Sequence, residues 1–225
     1  MPITALAASA AIAASAAIGG ASLPPPVAVP LTQAEAPVFR VGEEWQFAYT
    51  NDLDSSKNKT YVQRVASVSP EGVRLAIPSS GGPRFVDLDR NGNFVRSAVE
   101  SFTPSAETLR FPLFVGKSWN AEYTYTSGDW TSHCDRESKV VAVERVSTPA
   151  GTFDAFRVES RTGYSGAAVS SGAGRSYSVD WYAPGVGRIV KQDSEAMPNN
   201  RNLARTSAHL VLIRHTPAPT DQNAQ

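Results

Sequence analysis

The chain has little of the chemistry that marks metal centres and nucleophilic enzymes. Its 225 residues include a single cysteine, Cys134, and three histidines. One thiol cannot form an internal disulfide, so the sequence does not predict a disulfide-stapled domain. No cysteine lies within residues 15–25, where a lipid-modified N-terminus would need one. We therefore expect neither a cofactor nor a metal ion.

The chain also lacks an excess of either charge. Lysine plus arginine and aspartate plus glutamate both number 21, which gives a formal net charge of zero. Nonspecific nucleic-acid binding needs a basic face that displaces counterions from phosphates, so nucleic acid is not an expected partner.

Positive charge is missing from the N-terminal region, because the first basic residue is Arg40. Residues 1–22 are alanine-rich and uncharged, with small-residue triplets that resemble the core and cleavage region of a signal peptide. The basic segment that normally precedes such a core is absent. We predict export as a soluble protein to a bacterial periplasm or cell surface, with no membrane span after processing. The alternative is a disordered alanine-rich tail.

Helical periodicity is almost absent, whereas alternation with a period of two is frequent. It recurs at residues 60–69, 137–146 and 203–215, and clusters of Gly, Pro, Asn and Ser separate these runs. We predict an all-β protein, built as a single curved antiparallel sheet or as an open β-barrel or roll with little helix. Residues 99–109 contain a central proline and would form one short helix at most.

Composition divides the chain into four segments. The signal-like residues 1–22 precede a proline-rich linker at 23–37, since proline-rich sequence is extended and weakly structured. The antiparallel β domain is predicted at 38–215. Residues 216–225 contain no large apolar side chain and are expected to be a disordered tail.

One short pattern occurs twice. Residues 41–50 and 115–124 both read V-G-x-x-W-x-x-x-Y-T. Each indicates a glycine turn that leads into a strand with an inward tryptophan. Two structurally equivalent strands or an old duplication would explain the repeat.

The segment DLDRNGNF, residues 87–94, has the first half of a calcium loop. Asp87, Asp89 and Asn91 match the oxygen ligands at positions 1, 3 and 5, but position 12 is Ala98 instead of glutamate. Asn-Gly between alternating apolar residues favours a β-hairpin instead.

Nucleophile and metal patterns are incomplete. The segment GYSGA, 163–167, lacks the second glycine of a nucleophile elbow. His133, Cys134 and Asp135 offer three ligand types, but neighbours on a strand point to opposite faces. His209 and His215 could share a strand face, yet would lie about 20 Å apart.

Aromatic residues are the best candidates for a binding site. Tryptophan and tyrosine suit the wall of an apolar cavity, and they also suit a hydrophobic core. The candidate ligand-binding residues are Trp45, Trp119, Trp130, Trp181 and Tyr182.

Three stretches resemble a broad group of exported bacterial β-rich proteins of unknown function. They are VGEEWQFAY, VSTPAGTFDAFRVE and WYAPGVGRIVK. Members of that group typically show V-G-x-x-W, P-A-G-x-F-x-A-x-x-V and W-[YF]-x-P-G-V-G-x-V in that order, and Ile189 stands at the last valine here. The resemblance covers about residues 38–195. It implies a long curved antiparallel sheet or open barrel, similar to periplasmic carriers of lipid or lipoprotein, and it implies no catalytic residue.

The glycines of PGVGRIV do not form a phosphate loop. No third glycine follows, and the β-branched run after Gly187 resists the helix that would hold a phosphate. We therefore predict a hairpin corner at this point.

The sequence as a whole favours a non-enzymatic exported envelope protein. It would bind an apolar or lipid-like ligand, or act as a structural or interaction module with another envelope protein. One alternative is a hydrolase acting on an envelope polymer or ester, with Asp87 and Asp89 or Glu100 and Glu107 as acid and base. The other is a calcium-dependent adhesion module built on the DLDRNG segment.

Overall fold

The structure is a computed structural model that describes residues 30–166, 172–200 and 205–219. The signal-like segment 1–22 and the end of the tail, 220–225, lie outside the described residues. The described part of the chain forms the following strands: β1 Gln33–Ala34, β2 Glu44–Asn51, β3 Lys59–Ser69, β4 Gly72–Ile77, β5 Arg84–Leu88, β6 Phe94–Ser97, β7 Glu100–Thr103, β8 Leu113–Phe114, β9 Ser118–Ser127, β10 Trp130–Thr148, β11 Gly151–Gly166, β12 Ala173–Ala183, β13 Arg188–Pro198 and β14 Thr206–Thr216.

Twelve of these strands close into one antiparallel barrel. Their order is β10-β11-β12-β13-β14-β2-β3-β4-β5-β6-β7-β9, and β9 pairs with β10 to complete the ring. The all-β prediction is confirmed, but the barrel is closed where the sequence predicted an open one. Closure depends on the pairing of β7 with β9, in which Glu100 lies opposite Ser127. Alternation along a strand predicts the strand itself and not which two edges meet.

Residues 99–109, for which the sequence allowed one short helix at most, form no helix. Their first part is β7, and Pro104 follows the strand directly. A residue before proline is pushed towards extended backbone, which favours the strand over a helix. Within the described ranges, the only helical turn is a 3₁₀ turn at Ser55–Lys57.

Strand β1 lies inside the segment predicted as a linker. β1 pairs with β8, with Gln33 opposite Phe114 and Ala34 opposite Leu113. Ala34 is 5% exposed and packs in an apolar cluster with Leu113 and Trp119. A strand therefore lies within the residues predicted as a linker, where short apolar side chains among prolines gave no strand signal.

The chain between β7 and β8 enters the barrel. We call residues 104–112 the inner segment. The Leu109 N–H donates to Asn93 Oδ1 at 2.8 Å, and Asn93 Nδ2 donates to the Leu109 carbonyl at 2.9 Å. Trp119 Nε1 donates to the Glu107 carbonyl at 2.8 Å. These bonds satisfy backbone groups that a buried irregular segment would otherwise leave unpaired.

Apolar residues fill the barrel unevenly. The larger cluster, around Trp45, Phe47 and Leu75, and a second one, around Trp119, Phe156 and Tyr182, pack tightly. A third and smaller cluster joins Tyr123, Cys134 and Ala106, with more aromatic rings only partly buried against it. The interior is therefore looser on the side of that third cluster.

Candidate functional site

A cavity of about 670 Å³ lies inside the barrel, near the end that carries the β9–β10 turn. Inward residues of β7 and β9 to β13 form its wall. The lining residues are Glu100, Phe102, Tyr123, Tyr125, Trp130, Ser132, Cys134, Thr162, Tyr164, Ser176, Ser194, Ala196 and Pro198. We call this space the aromatic cavity. Its size falls within the range usual for small-molecule sites, about 300–1,000 Å³.

The aromatic wall follows from strand alternation. Tyr123 and Tyr125 are two residues apart on β9, so both side chains face the interior. The Phe102 ring lies against both, with ring centroids 5.6 Å and 5.0 Å away. Trp130 Nε1 donates to Ser132 Oγ at 2.7 Å, which orients the indole at the cavity edge. The rings thus form a continuous apolar surface with polar tips.

The cavity is weakly charged. Glu100 is the single carboxylate among its described lining residues, and it accepts a bond from the Tyr125 hydroxyl at 3.2 Å. Burial raises the pKa of Tyr123, Tyr125 and Cys134. The Cys134 thiol is therefore protonated at neutral pH and is a poor nucleophile.

One of the sequence-predicted site residues, Trp130, lines the aromatic cavity. Trp45 is fully buried in the larger apolar cluster, and its Nε1 donates to the Val186 carbonyl at 3.1 Å. Trp181 lies in the same cluster, with Nε1 donating to Glu144 Oε2 at 2.8 Å.

The remaining two predicted residues lie together in the second cluster. Trp119 and Tyr182 are both almost fully buried there, at 5% and 1% exposure. Tyr182 and Trp45 also line a separate cavity of about 300 Å³ under residues 35–40. The predicted set is thus distributed over three parts of the barrel.

Sequence reasoning missed Phe102 and Tyr164 as cavity residues. Tyr164 belongs to the GYSGA segment, in which the sequence points only to the serine. Phe102 lies in residues 99–109, for which the sequence predicted no strand. The inward direction of Tyr123 and Tyr125 could be predicted from the sequence, because both alternate with polar residues along the same strand as Trp119 and Ala121.

A polar layer crosses the interior between the aromatic cavity and the packed clusters. Asp180 is fully buried, and it accepts hydrogen bonds from Ser178 at 3.0 Å and from Gln192. Burial raises the pKa of its carboxyl group. Arg136 donates to Thr162 at 3.1 Å and to Thr108 of the inner segment at 2.7 Å.

The geometry of DLDRNGNF is that of the predicted hairpin. Leu88 pairs with Phe94 across the Asn-Gly turn, and Gly92 has a φ of 79°. Asp87 is held by Arg74 and Arg96 at 2.8 Å and 2.7 Å.

Asp89 faces donors of its own turn instead of a cation. Its Oδ1 accepts from the backbone N–H groups of Asn91 and Asn93 at 2.8 Å and 2.9 Å. Its Oδ2 accepts from the side chains of Asn93 and Ser105 at 2.9 Å and 3.1 Å. The two carboxylates therefore have separate partners and do not converge as calcium ligands would.

The candidate serine and histidine side chains that the structure describes are not arranged as a nucleophile and its base. Ser165 lies within β11, and Ala167 falls outside the described residues. At the outer surface, His209 bonds Asp193 at 2.7 Å and Asp52 at 3.0 Å. The Ser207 hydroxyl donates to Asp52 at 2.7 Å and not to the histidine. His209 is therefore not placed to accept that proton.

His133 and Asp135 have a neighbour that the sequence did not reveal. Glu122 on β9 lies opposite Asp135, and ligand atoms of the three side chains are within 4.8 Å of one another. All three are exposed on the outer surface. Cys134, between them, faces the aromatic cavity instead.

The chain matches the model of one family, described as DUF3108-like, over residues 130–207. A search of curated proteins found no match. Within residues 30–166, 172–200 and 205–219, no helix has the length and hydropathy needed to cross a membrane.

Solved structures resemble the chain at low identity. A proposed lipoprotein of Parabacteroides distasonis is 14% identical with a TM-score of 0.47, and the match covers 81% of this chain and 99% of that one. The hypothetical lipoprotein YmcC of Escherichia coli is 8% identical with a TM-score of 0.47, over 79% and 86%. A proposed exported protein of Bacteroides fragilis with a YmcC-like fold is 17% identical with a TM-score of 0.41, over 81% and 99%.

Proposed function

We propose that this chain is an exported, non-enzymatic envelope protein that binds an apolar, lipid-like molecule in the aromatic cavity. The observation that carries the proposal is the cavity itself, an open space of about 670 Å³ at one end of the barrel with aromatic rings along its wall. Such a wall buries apolar ligand surface, while a few hydroxyl groups fix its orientation. The alanine-rich residues 1–22 support the export part of the proposal.

Apolar side chains near the cavity support entry of such a ligand. A neighbouring cavity of about 370 Å³ shares Glu100 with the aromatic cavity. Val99 and Phe85 line that neighbour and are 71% and 44% exposed. Exposed apolar residues beside an interior cavity give an apolar molecule a surface to contact before it enters.

The hydrolase alternative receives no comparable support. Acid–base glycoside hydrolysis uses two carboxyl groups about 5–10 Å apart across a cleft. Glu100 stands alone among the described carboxylates of the aromatic cavity, and Glu107 is ion-paired with Arg110 elsewhere. The second carboxylate that would favour catalysis is therefore not found beside Glu100.

Binding can be measured with the delipidated full chain and the fluorescent apolar probe N-phenylnaphthylamine. The Ser194→Phe variant places a ring in the cavity, and Glu195→Phe places the same ring on the exposed face of the same strand. We expect the probe to bind the wild type and Glu195→Phe equally, and Ser194→Phe at least about tenfold more weakly.

Intrinsic fluorescence gives a second measurement. Trp130 lines the cavity and Trp181 does not. A bound apolar ligand should therefore change tryptophan emission in the wild type and in Trp181→Phe, but much less in Trp130→Phe. Absence of probe binding to the wild type, or equal binding to both phenylalanine variants of β13, would leave only the structural or interaction role.

A further inference from the structure

Arg188 extends into the barrel from the start of β13. Its guanidinium carbon lies 5.3 Å from the centre of the Trp45 ring and 6.0 Å from that of Phe47. Nη2 donates to Gln63 Oε1 at 2.6 Å. Nη1 is sealed from solvent and has no hydrogen-bond partner in the part of the chain that the structure describes.

Arg188 has no carboxylate as a direct partner in the described part of the chain, although the charge of Glu43 favours its protonated form. Among the described residues, two acids of the interior are engaged elsewhere. Glu43 bonds His215 at 2.9 Å, and Asp180 bonds Ser178 and Gln192. Burial lowers the pKa of Arg188 to about 10, so the guanidinium remains protonated at neutral pH. A buried cation without a counter-ion is costly, which makes an anion a favourable partner.

Space for such a partner exists beside Arg188. A cavity of about 290 Å³ is lined by its side chain and by the polar residues Gln63, Asn93, Thr108 and Gln192. The apolar part of the lining consists of Phe47, Val86, Leu88, Phe94, Leu109, Ile189 and Leu210. A headgroup would thus meet donors near Arg188, and a tail would meet apolar walls.

The Arg188 cavity adjoins the other interior spaces. Tyr61, Gln63 and Phe94 line both it and the cavity of about 370 Å³, which shares Glu100 with the aromatic cavity. On β13, Gln192 lines the Arg188 cavity, while Ser194 and Pro198 line the aromatic cavity. From residue 192 to residue 198 a strand extends about 20 Å, so a long chain is needed to span both.

We propose that Arg188 binds the anionic headgroup of a long-chain amphiphile whose apolar tail extends through the cavity of about 370 Å³ towards the aromatic cavity. This inference rests on the proposed function and adds the class of ligand to it. Nη1 is the donor group without a partner, and a charge-assisted hydrogen bond from it to a carboxylate is stronger than one to a neutral hydroxyl headgroup.

The test compares palmitate with hexadecanol, which has the same tail and a neutral headgroup, and with acetate, which has the headgroup alone. Calorimetry on the delipidated full chain should show palmitate bound at least about tenfold more tightly than hexadecanol, with no binding of acetate. Arg188→Met should remove the preference for palmitate and leave hexadecanol binding unchanged. Arg145→Met, a change at an exposed arginine, should behave as the wild type.

Each of the other possible results overturns either the role of Arg188 alone or the proposed function as well. Equal affinity of the wild type for palmitate and hexadecanol, or an unchanged preference in Arg188→Met, overturns the role of Arg188 and leaves the proposed function standing. Acetate that binds as tightly as palmitate also overturns it, since the tail would then contribute nothing. Failure of both long-chain probes overturns the proposed function as well. If Arg188→Met does not fold, Arg188→Gln serves as the neutral variant, and hexadecanol binding shows that its cavity is intact.

Discussion

Gly42 and Gly116 occupy equivalent corners of the barrel. Their φ angles are 88° and 95°, and each N–H donates to a valine carbonyl at 2.9 Å, that of Val65 or of Val140. Each valine N–H returns a bond to the residue after the glycine, at 2.9 Å for Glu43 and 2.8 Å for Lys117. The predicted equivalence of the two V-G-x-x-W segments is confirmed at this level of geometry.

The equivalence extends beyond the corner. β3 pairs with β4 through a register shift directly after Val65, and β10 pairs with β11 through one directly after Val140. The tryptophan three residues after each glycine points inward and bonds a distant backbone carbonyl. The strands β2 to β4 therefore repeat the local structure of β9 to β11. Whether a duplication produced them stays a hypothesis.

Alanine at either glycine should destabilise the protein. At Gly116 an added Cβ meets nothing within 4 Å, so the cost is the left-handed backbone alone, about 1 kcal/mol. At Gly42 a Cβ would also lie 3.2 Å from Pro219, so Gly42→Ala should cost at least as much. Gly81 has open space and no positive φ, and Gly81→Ala serves as the control that should not destabilise. Urea midpoints for the three variants measure this, and a loss of stability in Gly81→Ala equal to the others would contradict it.

Local features of the fold were predictable because they depend on neighbouring residues. The Asn-Gly hairpin at residues 91–92 and the Pro-Gly corner at 184–185 follow from backbone preferences that the sequence carries directly. Closure of the barrel was not predictable, because it depends on β7 and β9 meeting across the inner segment. The strand β7 before Pro104 was not predictable for the same reason, since long-range pairing decided its conformation.

The candidate site was predictable by residue type but not by position. Every predicted tryptophan points into packed structure or a cavity, yet only the fold shows that Trp130 borders the aromatic cavity and Trp45 does not. β-Bulges also make it harder to predict which face of the barrel a side chain occupies. A register shift between Leu212 and Arg214 places His215 on the face of Trp45, whose ring it stacks on with centroids 5.9 Å apart. His209 lies on the opposite, outer face, so the two histidines do not share a face as their spacing suggested.

Asp87 should stabilise the fold only above strongly acidic pH. The hydrogen bond from Arg74, supported by Arg96, lowers its pKa from 3.8 to about 2. The contribution is therefore fully present above pH 3.8 and is lost as the pH falls towards 2. Both arginines are substantially exposed, so we expect about 1 kcal/mol.

Urea unfolding of the wild type and Asp87→Asn between neutral and acid pH measures this contribution. The difference should be constant near neutrality and should shrink below about pH 4. Asp154→Asn, at an exposed position, is the matched control. A difference that is independent of pH would show that the ion pairs contribute nothing through charge.

Added calcium should leave the melting temperature of the wild type unchanged, because Asp87 and Asp89 are held by their own partners.

His209 should stabilise the fold at the acid side of neutrality. Hydrogen bonds to Asp193 and then to Asp52 raise its pKa above 6.5. The stabilisation is fully present below the unfolded pKa of about 6.5 and is lost as the pH rises through the raised value. His209→Gln should therefore lower the urea midpoint at pH 5.5 and have a smaller effect at pH 9. His133→Gln, at an exposed histidine 3.6 Å from Asp135, is the control. A loss of stability in His209→Gln that becomes larger as the pH rises would contradict this prediction.

Removal of the Arg188 charge should stabilise the ligand-free protein. The guanidinium leaves Nη1 without a partner inside the barrel, and its single described side-chain acceptor is Gln63. Methionine fills a similar volume and has no charge to desolvate, so Arg188→Met should raise the free energy of unfolding by about 1 kcal/mol in delipidated protein. Saturating palmitate should reverse the order, because the ligand stabilises the state that binds it more tightly. Thermal unfolding of both proteins with and without palmitate measures this. A destabilised Arg188→Met in the absence of ligand would show that the arginine is retained for packing against Trp45 and Phe47 and not for an anion.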